Sequence, residues 1–127
     1  MDDIFYMSSK NVRIKDIDEI AKRVNVKNTF IPRSTDALEV EYCDGVMANW
    51  FCMKMEDFQE LEDMKFLIQN RINSIFCISH HSGNFSLILP HIKLLLQEYG
   101  GWIGNDEEGF QPCFNVENID LFNYVST

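Results

Sequence analysis

The chain has 127 residues, 46% of them apolar, and a net charge of −9. That length makes one domain, 1–127, and the ten Phe give it material for one core, which excludes a disordered chain. No apolar run approaches the roughly 20 residues that span a bilayer, and the charge leaves no basic footprint large enough for nucleic acid.

In chain order, Ile4 to Tyr6 reads as a short edge strand. Met1-Asp2-Asp3-Ile4 lacks the basic-then-apolar order of a signal peptide, so the expected compartment is the cytoplasm. Asp16, with Glu19 three residues on, has capping-box spacing. Ile17, Ile20, Ala21 and Val24 then share one helical face. Thr29-Phe30-Ile31 makes a short strand that stops at Pro32.

Leu38, Val40 and Tyr42 alternate with Glu39 and Glu41, the period-two pattern of a strand with one wet face. Asp44-Gly45 follows, two residues that tolerate positive φ in a tight hairpin turn. Val46 to Met55 returns as a long, mostly apolar strand. Asp57 and Glu60 repeat the capping spacing, and Phe58, Leu61, Met64, Ile68 and Ile72 trace the expected inner stripe of a second helix. Ser74 to His80 reads as a buried strand, since Ile75-Phe76-Cys77-Ile78 has no polar alternation.

Ser82-Gly83-Asn84 marks a loop. Ile88, Ile92, Leu95, Leu96 and Tyr99 form the stripe of the last helix, with Pro90 expected in its first turn. Gly100 supplies a left-handed stop, and Trp102-Ile103 a short strand. In the tail, Ile119, Phe122 and Tyr124 are positioned to dock on the body. The expected architecture is α+β: a mixed, mostly antiparallel sheet with about three helices over one face, a two-layer sandwich.

Charge is unevenly placed. Residues 10–33 carry seven basic and three acidic side chains, 36–63 carry nine acids and only Lys54, and 102–127 carry five acids and no Lys or Arg. Such a surface serves solubility and attracts a basic partner. The aromatics Trp102 and Phe110 flank the acidic run Asp106-Glu107-Glu108, and aromatics ringed by charge are what binding hot spots look like. Trp102 also has a core reading, because it follows an amphipathic helix.

Chemistry has fewer signals. His80 and His81 end a buried strand, but successive side chains point to opposite faces and cannot converge on one metal. Asp106, Glu107, Glu108 and His91 complete no ligand spacing, so no metal and no cofactor are expected. Cys43, Cys52, Cys77 and Cys113 contain no CxxC pair, and three of them sit in apolar runs as reduced structural thiols. A Cys77–His80 or Cys113–His80 nucleophile pair lacks a neighbour that would activate the thiol. Ser82-Gly83-Asn84 has one glycine and no nearby cation, too little for a phosphate turn.

The pattern Tyr99-Gly100-Gly101-Trp102-Ile103-Gly104-Asn105-Asp106, then Gly109-Phe110-Gln111-Pro112, resembles the C-terminal signature of small bacterial immunity proteins of polymorphic toxin systems. The resemblance covers the chain from Ser74 on. It implies a single cytoplasmic α+β domain that binds and neutralises a cognate toxin, here a basic one. It carries over no binding residue. The expected function is therefore that of a non-enzymatic acidic binding protein, with Trp102, Asp106, Glu107, Glu108 and Phe110 as its partner surface. The alternative is a small hydrolase or metal-dependent enzyme using His80 and His81. A third reading is a homodimer paired through the Val46–Met55 strand.

Overall fold

The computed structural model describes residues 2–33, 36–81 and 85–122. Seven strands form one sheet: β1 (Asp2–Ser8), β2 (Val26–Phe30), β3 (Ala37–Tyr42), β4 (Met47–Met53), β5 (Ser74–His80), β6 (Trp102–Asn105) and β7 (Cys113–Phe114). Their spatial order is β2-β3-β4-β5-β1-β6-β7, and all six pairings are antiparallel, so the sheet is not mixed. Three helices complete the α+β fold: α1 (Ile14–Ala21), α2 (Leu61–Gln69) and α3 (Phe85–Tyr99). Among the described residues no helix is long and apolar enough to cross a membrane.

The hairpin forms where the alternation places it. Asp44 and Gly45 take φ of 59° and 73°, and the Tyr42 N–H donates to the Val46 carbonyl at 2.7 Å. Leu38, Val40 and Tyr42 are buried, while Glu39 and Glu41 are half-buried on the other face. In α1 the Asp16 carboxylate accepts the Arg13 N–H at 2.9 Å, and Ile17, Ile20 and Ala21 face inward. Phe85 opens α3, so Pro90 falls in its second turn and leaves the Ser86 carbonyl without its i+4 donor. Ile119 and Phe122 dock as expected, whereas Tyr124 and the Ser82-Gly83-Asn84 loop lie outside the described residues.

β1 is not an edge strand. It lies between β5 and β6, because its run is apolar on both sides. Ile4 and Tyr6 enter one core and Phe5 and Met7 the other. The first core is roofed by α1 and α3. The second is smaller and gathers Leu67 of α2, Ile72, Ile75 and Phe110. Helices thus cover both faces, against the expected two-layer sandwich, but α2 reaches only the β5-β1-β6 half of the second face. β4 has neighbours on both edges, which rules out edge pairing across a two-fold; the free edges belong to β2 and β7. A register shift between Val26 and Asn28 interrupts the β2 ladder.

One buried polar network ties the first core together. The Trp50 indole N–H donates to Tyr42 Oη at 3.3 Å, Tyr42 O–H donates to His91 Nδ1 at 2.8 Å, and His91 Nε2–H donates to the Ile17 carbonyl at 3.0 Å. Each donor finds an acceptor only if the imidazole is neutral. Burial holds the His91 pKa down to about 4, against the raising effects of the Ile17 hydrogen bond and the Asp18 carboxylate.

The folded pKa lies below the unfolded 6.5, so the unfolded chain binds the extra proton and stability falls as pH drops from 6.5 towards 4. The expected loss is about 2 kcal/mol between pH 7 and pH 5. Urea unfolding at the two pH values measures it, and His91→Gln should flatten that dependence.

Candidate protein-binding surface

The acidic loop begins where α3 is tied to the sheet. Tyr6 O–H donates to the Gly100 carbonyl at 2.7 Å and Ser8 O–H to the Tyr99 carbonyl at 2.9 Å, which satisfies carbonyls at the helix end. Gly101 has φ of 98°, and a Cβ there would run into the Met7 carbonyl, so the second glycine is a close-approach requirement. A Cβ on Gly104 would meet Phe110 Cβ at 2.7 Å. The Gly-Gly-Trp-Ile-Gly pattern is thus explained by β6 lying tightly between β1 and the Phe110 turn.

Asp106, Glu107 and Glu108 are exposed, as their sequence predicts. The two aromatics are not displayed with them. Phe110 is 1% exposed and meets the rings of Phe5, Phe58 and Phe66 edge-on at 5.3–5.5 Å. The cause is local: Gly109 and Phe110 take φ of 66° and 62°, and the Gly109 N–H donates to Asp63 Oδ1 at 2.7 Å, which turns the ring under α2. Phe110 is therefore core in this fold, a correction to its expected outward place. Trp102 is half-buried, edge-on to Phe66 at 6.1 Å. Beside the loop, α2 and the turn bound an open groove of about 570 Å³ with Glu62, Lys65, Gln69, Glu108 and Gln111 on its walls.

A larger apolar surface lies elsewhere. On the second sheet face, Phe30 of β2 is 60% exposed and Phe51 of β4 is 42% exposed, with Met47 also open. The register places Phe51 in one row with Ala37, Cys77 and Phe5, on the side that α2 covers only farther along the row. α2 itself shows Leu61 (65%), Met64 and Ile68 (61%) to solvent. Its inner side is Leu67 with half-buried Asp63, Phe66 and Asn70. Phe66 points towards Trp102 and Phe110, so the Met64–Ile68 flank, on the other side of Leu67, faces the open β2-β3-β4 half. This reverses the expected α2 stripe, in which Leu61, Met64 and Ile68 were inner residues.

The signal was present in the sequence. Val46 to Met55 is mostly apolar, with Asn49 and Lys54 as its polar residues, close to the pattern of a strand covered twice, and 61–68 holds more apolar residues than one helical stripe needs.

Carboxylates frame this surface. Glu39 and Glu41 lie within it, and Glu56, Asp57 and Glu60 follow in the β4–α2 connection. Lys27 reaches Glu41 at 3.5 Å from the β2 edge.

The histidines and thiols are placed differently. His80 is buried in the first core, its Nδ1–H donating to the His81 carbonyl at 3.0 Å, while Nε2 finds no partner among the described residues. His81 is exposed. Among the described residues no three His, Cys, Asp or Glu side chains group to hold a metal. All four cysteines are free, and Cys52 is exposed against its expected burial because the end of β4 runs past its cover. The Cys77 thiol is pushed up to about 12, first by burial and then by the Asp3 and Asp106 carboxylates, and burial also raises Cys113. Neither is a thiolate at neutral pH.

No protein-family model, curated protein or solved structure matches the chain, so none bears on the likeness to immunity proteins.

The core place of Phe110 sets an expected contrast. Phe110→Ala should cost about 3–5 kcal/mol through lost contacts and a cavity, whereas Asp106→Asn should stay within about 0.5 kcal/mol. Denaturant unfolding of the two variants measures both.

Proposed function

We propose that the chain is a non-enzymatic binding domain whose open half-face, over β2, β3 and β4 and along the outer flank of α2, receives a basic protein surface with apolar residues at its centre. The observation that carries this reading is the mismatch on β4: towards the second face it presents Met47, Asn49, Phe51 and Met53, and only Met53, at its end, packs against the second core while Met47 and Phe51 stay exposed. Exposed clusters of this kind on a folded domain mark interaction sites.

Charge selects the partner. Glu39 and Glu41 stand among the exposed apolar residues and Glu56, Asp57 and Glu60 follow in the β4–α2 connection, with Lys27 on β2 and Lys54 after β4 as cations of the same segments. A second copy of this chain would oppose like charges there. A cationic partner would be steered in, and the exposed loop Asp106-Glu107-Glu108 would extend the attractive field. Neutralisation of a basic toxin domain, the role implied by the resemblance, is the specific form of this reading, and Trp102 and the acidic loop then act in encounter more than as anchors.

The test uses the partner recovered on the intact protein from its native source. Phe51→Glu combined with Ile68→Glu should weaken binding at least about a hundredfold, the loss of two apolar anchors, with the unfolding midpoint unchanged. Neutralising Asp106, Glu107 and Glu108 together should slow association by about tenfold at low salt and leave dissociation unchanged. Undiminished binding by the Phe51/Ile68 variant, or a recovered partner whose association ignores salt, would overturn the reading.

A further inference from the structure

A separate cavity of about 530 Å³ lies at the end of the sheet, between the entry to α1, the last residues of β4 and the first of β5. Its open apolar walls are Ile14, Ile31 and Cys52, with the buried Val12 and Phe76 behind them, and its rim carries Arg13 and Lys15. None of Phe30, Met47, Phe51, Met64 and Ile68 of the open half-face lines it. Cys52, which also lines it, pairs in register with Phe76, and the adjoining Phe51 belongs to the opposite face.

Two observations point to a ligand. The wall is built: Ser74 Oγ accepts the Val12 N–H and donates to the Lys10 carbonyl, both at 2.8 Å, and the Asn73 side-chain amide donates to the Ser9 carbonyl at 2.9 Å. An apolar, pre-formed recess of this size with a few polar groups at its mouth has the character of a small-molecule site. Its charge also opposes that of the molecule. The net charge is −9, yet the mouth is cationic, with Lys10 and Arg33 close by in sequence. Arg13 is held by Asp16 only at 3.5 Å, and Lys15 makes no ion pair among the described residues. Asp36 is the one carboxylate in the lining, so an anionic head would be drawn to the Arg13–Lys15 side.

We propose that this cavity binds a small amphipathic anion, its apolar body against Ile14, Ile31 and Cys52 and its carboxylate or sulfonate between Arg13 and Lys15.

Cys52 provides a local reporter, since its thiol opens into the cavity lining. Anilinonaphthalene sulfonate is titrated into the full chain by fluorescence, with octanoate and octanol as competitors. Iodoacetamide modification of each thiol is then followed by mass. Octanoate should displace the dye at a one-to-one stoichiometry and compete far better than octanol. At ten times its Kd it should slow Cys52 alkylation by about tenfold, in proportion to the occupied fraction, while Cys43 and Cys113 react unchanged. Arg13→Gln with Lys15→Gln should raise the octanoate Kd about tenfold, equivalent to about 1.4 kcal/mol, and leave octanol alone; Lys15→Gln by itself, at an exposed site, should give part of the effect without touching the α1 cap. Equal competition by octanol, unprotected Cys52, or indifference of both variants to octanoate would overturn the proposal. Binding of the dye at the open half-face instead would leave Cys52 unprotected and counts as that second outcome.

Discussion

A seven-stranded sheet has two faces to shield, and this chain has three helices to do it. That shortage of cover decides where every other feature sits. α1 and α3 roof most of one face around Tyr42, Trp50 and Phe76, leaving the Cys52 end of β4 open. α2 then shields only the strands beside β1, where Phe5 and Met7 meet Leu67 and Phe110. β1 needs both roofs, and its position near the middle of the sheet follows from having apolar side chains on both sides. β3 needs only one, and its Glu39 and Glu41 can stand on the bare side. β4 receives one in full and, at Met53 alone, the edge of the other.

The roofs are fixed by polar contacts as much as by apolar area. The Trp50–Tyr42–His91–Ile17 chain joins β4 and β3 to α3 and α1 with every donor matched. At the far end of α3, Tyr6 and Ser8 of the central strand hold the last carbonyls of the helix. The chain can then turn through two glycines and re-enter the sheet as β6 without leaving unpaired backbone behind. The acidic loop inherits its rigidity from that arrangement and from the Gly109–Asp63 clamp on α2.

Local rules read well from the sequence wherever one environment acted alone. The β3–β4 hairpin, the inner face of α1, and the stripe Ile88-Ile92-Leu95-Leu96 follow from period and turn chemistry. Residues that answered to two environments read badly. α2 has apolar residues around more than half its girth, so periodicity could not say that Leu67 and Phe66 face inward while Leu61 and Ile68 face out. β1 reads as an edge because its run is short, and its true place depends on partners 66–78 and 95–101 residues away in sequence. Phe110 reads as displayed beside three acids until the left-handed pair Gly109-Phe110 turns it inward. The open half-face shows in the sequence only as an excess of apolar residues with no assigned neighbour.

A sheet with a bare apolar flank also risks stacking edge to edge into ribbons. The outermost strand, β2, is only five residues long, it loses its ladder register between Val26 and Asn28, and it carries Lys27. Pro32 follows two residues beyond its end, and a proline has no N–H to lend to an added strand. Strand-by-strand growth is blunted at that border, while the neighbouring apolar flank stays available for docking through side chains. The apolar plane thus borders an edge whose backbone offers little to an added strand.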